Sequence, residues 1–284
     1  MTFGDHISRV NTRAKTRLNV LRALTHSTYG YSREDISQIY KQYVRPIITY
    51  AHPAWHPDIA DTHMRKIQTT ENTALRIATG CTSSTPIHHL QHETRIIPLK
   101  QHMRMTGTQV FSSTQNPAHP LHHLRQPPAR QPRRNPPHTT PAKYYTSSLQ
   151  SIPPPTGNTS WRTQIHTTFT QQHLTTLPDN TILQAQAPHT DDALEQHIPR
   201  ADRVHLSRLR CGHHTSIPSY MHRIGQLSDP TCDLCGNATG SVEHILLHCP
   251  AIQSHRDNHG IHALEHLWER PEEAIGFLRD ASII

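Results

Sequence analysis

The chain has 284 residues, of which AVILMFWYC make up only 33% and charged residues 17%, while 27 are His and 23 Pro. Even with the 11 glycines added, the apolar share falls short of the roughly 45–50% of ordinary globular domains, and the charged share falls short of about 25%. This excludes one uniformly apolar core, and the net charge of +7 favours polyanionic partners over basic ones.

The first hundred residues carry the clearest helical periodicity. Ile7, Val10, Ala14, Leu18, Leu21 and Leu24 recur at three- and four-residue steps. One face of a first helix is therefore apolar, and the other carries Arg9, Arg13, Arg17 and Arg22. Ser32 and Asp35 form a capping signal for a second helix. It is expected to bury Ile36, Ile39, Tyr40, Tyr43, Val44 and Ile47, with Pro46 kinking or interrupting it. A third helix is expected from about Asp61 to Thr79, with Met64, Ile67, Ala74, Leu75 and Ala78 inward and Gly80 as its stop. Thr85-Pro86 opens another, and a helix after Pro98 places Leu99, Met103 and Val110 on one side before fading near Asn116.

Between Pro117 and Pro155 eleven prolines interrupt the chain and no period survives. This stretch reads as an extended linker. It lies within a longer acid-free block, Thr94 to Pro178. That block carries nine basic residues, among them Arg130, Arg133 and Arg134, and leaves the rest of the chain at −2. Such a block draws polyanions in a salt-dependent way, or serves as a solvated spacer. Periodicity returns with Trp161, Ile165 and Phe169. It continues with Val204, Leu206 and Leu209 up to Gly212, with Ile217, Tyr220, Met221 and Ile224, and with Ala274, Phe277 and Leu278 near the end. The reading is mainly α, in four parts: helices over 1–116, a Pro-rich basic linker over 117–158, a helical domain over 159–228, and a finger with C-terminal helices over 229–284.

The finger is marked by Cys232-x-x-Cys235, followed by His244 and Cys249. Three thiolates and an imidazole at this spacing supply the four tetrahedral ligands of a structural zinc site, with His248 as an alternative fourth ligand to Cys249. Gly236 sits where a tight turn aims backbone N–H groups at sulfur and tolerates no bulk. Ser241 caps a short helix to about His248. A set with four protein ligands leaves no open position for catalysis. Cys81 and Cys211 stand apart, so five cysteines make no disulfide framework. The N-terminus lacks the apolar h-region of a secretory signal, and no run reaches the roughly 20 apolar residues of a membrane helix. An intracellular setting is expected, in the nucleus or a cytoplasmic ribonucleoprotein.

Several stretches are also familiar. Ile39 to Trp55, reading IYKQYVRPIITYAHPAW, resembles the segment after the palm in reverse transcriptases of jockey-like non-long-terminal-repeat retrotransposons. Ile67-Gln68 and Ala74-Leu75-Arg76 ahead of Gly80 are similar to that family's thumb. His205 to His213, reading HLSRLRCGH, then Cys232, Cys235, His244 and Cys249, are similar to its C-terminal tail, with Cys211 in a threonine's place. Thr2 to Ile7 resembles the point just past the palm. The resemblance implies a thumb-like helical domain and a zinc-bearing tail that bind RNA and/or DNA, through Arg9, Arg13, Arg17, Arg22, Arg65, Lys66 and Arg76 together with Arg130, Arg133 and Arg134. The family's Tyr-x-Asp-Asp turn is missing, since Asp191-Asp192 follows His189-Thr190 in a polar stretch. The expectation is a truncated element without its own polymerase activity, a membrane partner or a small-molecule substrate. The competing readings are a host-adopted zinc-finger module for protein contacts and, last, a nuclease using the histidines.

Overall fold

The computed structural model describes residues 3–125, 141–175 and 192–284. Among these the chain is mainly helical and has no strand, only the isolated antiparallel bridges Thr25–Gly30 and Thr231–Thr239. It divides into two compact units, each assembled from separated stretches. The first comprises 1–19, 40–72 and 96–177; the second comprises 20–39, 73–95 and 178–284.

The first unit receives α1 (Gly4–Leu24) as far as Asn19, then α3 (Arg45–Thr49), α4 (His52–Trp55), the first part of α5 (Asp61–Thr79) and α7 (Leu99–Ser113). Ile7, Val10, Ala14 and Leu18 are buried as their spacing requires. Asn11 of α1 accepts a hydrogen bond from the Thr70 hydroxyl of α5 at 2.7 Å, which ties the two helices inside the unit.

The second helix departs from the expected face. α2 (Arg33–Ile39) opens with the anticipated capping box: Asp35 N–H donates to Ser32 Oγ at 3.0 Å and Ser32 Oγ–H donates to Asp35 at 2.7 Å. It then widens into a π-helical turn over Tyr40–Val44 before α3. Pro46 has no N–H to give to the residue four positions back, and the wider turn absorbs that break. The extra residue per turn shifts the register. Ile36, Tyr40, Val44 and Ile48 are buried, while Tyr43 is exposed and Ile47 only half-buried.

Another departure lies in the proline-rich stretch. Positions 126–140, with Arg130, Arg133 and Arg134, lie outside the described residues, but α8 (Pro141–Gln150) is a packed helix inside the expected linker. Tyr145, Leu149 and Ile152 are buried, and the last two join Met105 and, from α9 (Trp161–Thr175), Ile165 and Phe169 in one apolar cluster. Gly107 makes the close approach possible, because a Cβ there would stand 2.3 Å from the Tyr145 ring. On α7 it is Phe111, not Val110, that turns inward.

The second unit contains α6 (Ile87–Thr94), α10 (Arg200–Arg210), α11 (Pro218–Arg223), α12 (Gln253–His259), α13 (His266–Glu269) and α14 (Pro271–Asp280). Its apolar cluster runs from Ile198 through Leu206, Leu209 and Tyr220 to Trp268, Phe277 and Leu278. Buried beside it, Glu93 of α6 accepts hydrogen bonds from Arg33, Arg210 and Ser207, and Arg210 also meets Glu195 at 2.6 Å. Two guanidinium groups and two carboxylates thus neutralise each other away from water. Arg208 donates twice to the Gly80 carbonyl, at 3.0 and 2.9 Å.

Candidate metal centre

Cys232, Cys235, His244 and Cys249 converge, with all four ligand atoms within 4.8 Å of one another. Two local structures deliver them. A hairpin closed by the Thr231–Thr239 bridge, by Cys232 N–H on the Ala238 carbonyl (2.7 Å) and by Gly236 N–H on the Cys232 carbonyl (2.8 Å) supplies the first two. Gly236 takes φ +67°, and a Cβ there would meet nothing within 4 Å. The glycine is therefore required by backbone conformation and not, as the sequence suggests, by crowding. A π-helical turn over His244–His248 supplies the other pair. Ser241 Oγ accepts the His244 N–H at 3.0 Å, realising the expected cap, and Cys249 N–H returns to the His244 carbonyl at 2.7 Å.

The spacing matches the chemistry of a tetrahedral ion. At zinc–sulfur and zinc–nitrogen lengths of about 2.3 and 2.0 Å, two sulfurs stand roughly 3.8 Å apart and a sulfur and nitrogen roughly 3.5 Å apart. Cys232 Sγ lies 3.9 Å from Cys249 Sγ, and Cys235 Sγ lies 3.3 Å from His244 Nε2. Backbone N–H groups of Asn237 and Ala238 point at the Cys235 sulfur and lower its pKa, whereas burial and the adjacent thiols push Cys249 up to about 11. The cluster could hold a metal ion and is compatible with zinc. His248 is excluded from it: its side chain is largely exposed and lies near Glu243.

This centre is part of a core. Cys232 and Cys249 are buried in the same apolar cluster as Leu206, Tyr220, Val242, Leu246 and Trp268.

The basic candidates divide by environment. Arg9, Arg13, Arg17, Arg22, Arg65 and Lys66 are exposed. Arg17 lies over the Tyr43 ring at 4.5 Å. Arg76 instead anchors the loop after α5, donating to the Ser83 and Thr85 carbonyls at 3.3 and 3.2 Å. Of the two aromatic residues ending the first familiar stretch, Trp55 is buried, with its indole N–H on the Tyr50 carbonyl, and Tyr50 is exposed.

Several of the histidines are structural. His52, His56, His89, His213 and His214 are buried. Burial is the main cause that lowers His56, His89, His213 and His214 to about 4, so these rings stay neutral near pH 7. Arg256, fully enclosed beside the metal ligands, has no periodic signature and escaped the sequence reading.

Among the described residues no helix is long and apolar enough to cross a membrane. No protein-family model, curated protein or solved structure matches the chain.

Proposed function

We propose that this chain is a nucleic-acid-binding module whose second unit is organised around one structural zinc ion. The observation that carries the binding reading is the exposed stripe Arg9, Arg13 and Arg17 on α1. These arginines are four residues apart, and none forms an ion pair with a carboxylate among the described residues. At 1.5 Å per residue the stripe is about 12 Å long, or three to four nucleotide steps along one strand. Arg65 and Lys66 on α5 add exposed positive charge to the same unit. Unpaired cations on a rigid helix hold phosphates without reading bases, so RNA and DNA are both expected ligands.

Zinc is the metal we assign because three sulfurs and one imidazole are its preferred structural donors, and because four protein ligands leave no place for a reacting water. The role is architectural. The ordered likeness to jockey-like reverse transcriptases supports reading the chain as the thumb and tail of such an enzyme, working on nucleic acid inside the cell without a polymerase centre of its own.

The deciding experiment is titration of RNA, single-stranded DNA and duplex DNA at several salt concentrations, with zinc content measured on the same protein. Affinity that falls steeply with salt supports the module. Salt-insensitive or absent binding overturns it and favours a zinc-finger module for protein contacts. Primer extension by the purified chain would overturn the non-catalytic assignment.

A further inference from the structure

Arg256, on α12, is among the largest fully buried side chains of the molecule. The other buried arginine of that rank, Arg210, is balanced by Glu93 and Glu195. Arg256 has no carboxylate partner among the described residues. Its guanidinium donates to the Cys249 carbonyl at 2.6 Å, to the Ile245 carbonyl at 3.3 Å and to the Gln253 side chain. Two of these acceptors belong to the turn that presents His244 and Cys249.

A buried cation held only by neutral carbonyls is costly unless an anion lies close by. Three thiolates, a neutral imidazole and a divalent ion sum to one negative charge. A Cys3His centre is therefore an anion inside an apolar cluster, and it needs a counter-charge as much as Arg256 does.

We propose that Arg256 is the counter-charge of the metal centre: it fixes the turn bearing His244 and Cys249 and neutralises the single negative charge that a bound divalent ion leaves on three thiolates. The inference rests on the zinc reading above. It assigns Arg256 a positioning and electrostatic part in metal retention, in addition to packing. Each charge makes burial of the other tolerable, so metal loading and docking of α12 are one equilibrium.

The test separates charge from hydrogen bonding. Zinc affinity is measured by chelator competition at fixed pH on the full chain, with the cobalt(II) spectrum reporting tetrahedral thiolate ligation. Arg256→Gln keeps donors for the carbonyls but removes the charge, and is expected to weaken zinc binding about 10- to 100-fold. Arg256→Lys keeps the charge but not the planar fork, and is expected to lose clearly less affinity than Arg256→Gln. In a Cys249→His background the loaded site is neutral, so Arg256→Gln should then change affinity by less than about threefold. Equal losses in the Gln and Lys variants would overturn the proposal, as would a Gln loss that is as large in the Cys249→His background as in the parent. If Arg256→Gln fails to fold at saturating zinc, folding of Arg256→Lys supports the charge role, and failure of both overturns it. A parent chain that purifies with no zinc and binds none refutes the zinc reading itself, which is a different result.

Discussion

Arg210 and Glu93 meet at 3.0 Å with side chains 1% and 3% exposed, joining positions 117 residues apart in sequence. Their pairing, with Arg33 and Glu195, is the polar counterpart of the apolar cluster in the second unit. Arg210 also lies over the Trp268 ring at 5.3 Å and donates to the Leu267 carbonyl. The run that carries the tail resemblance is thus largely structural: Leu206 and Leu209 are core, Arg208 clamps Gly80, and Arg210 closes the ion network.

Removing one partner of this network should be severe. Glu93→Gln is expected to cost about 3–5 kcal/mol, because it leaves buried guanidinium charge uncompensated. Although burial opposes ionisation, Arg33 and Arg210 hold the Glu93 carboxyl down to about 2. Its ordinary value is near 4.3, so its stabilisation is complete above that pH and is lost as pH falls toward 2. Urea unfolding from pH 5 to 2 should show that loss in the parent and a shallower one in Glu93→Gln.

The buried histidines act at milder acidity. His56, His89, His213 and His214 have folded values of about 4, against roughly 6.5 when unfolded. Between these limits the unfolded chain binds more protons, so stability is full above pH 6.5 and falls as the pH drops toward 4. The slope reaches at most about 1.4 kcal/mol per pH unit for each ring. The buried Nδ1 atoms of His56, His89 and His213 have no hydrogen-bond partner among the described residues, so a proton placed there gains nothing from them. A Tm that stays flat from pH 7 to 5 would contradict this assignment.

Cys235→Ser should abolish zinc retention. Because Cys232 and Cys249 share a cluster with Leu206 and Trp268, the damage should spread through the second unit, including residues 20–39 and 73–95. Hydrogen exchange should show lost protection there and retained protection around Met105, Leu149, Ile165 and Phe169. Unchanged zinc content would remove Cys235 from the ligand set.

Replacing Arg9, Arg13 and Arg17 together by Gln should weaken RNA and DNA binding without a large change in Tm, since all three are exposed. The slope of log affinity against log salt should fall in magnitude by roughly 2–3. An unaltered slope would locate the phosphate contacts elsewhere.

Much of this was legible in the sequence where the determinants are local. The Cys-x-x-Cys turn, the Ser32–Asp35 box and the apolar face of α1 all depend on neighbours within a few residues. The misreadings have non-local or register-shifting causes. A π-helical turn moved burial from Ile47 to Ile48, and α8 was hidden because proline content outweighed the four-residue spacing of Tyr145 and Leu149. The Arg210–Glu93 pair and the enclosure of Arg256 leave no trace in periodicity, because their partners are set by packing.

The discontinuity of the second unit bears on inheritance. It draws residues 20–39 and 73–95 from near the start of the chain and its metal ligands from the last quarter. A gene fusion that transplanted only the cysteine-bearing tail would leave α10 without Glu93 and without the Gly80 carbonyl that Arg208 holds. Recombination can move this unit intact only by carrying both ends together, so it should spread as a long block and not as an exchangeable cassette.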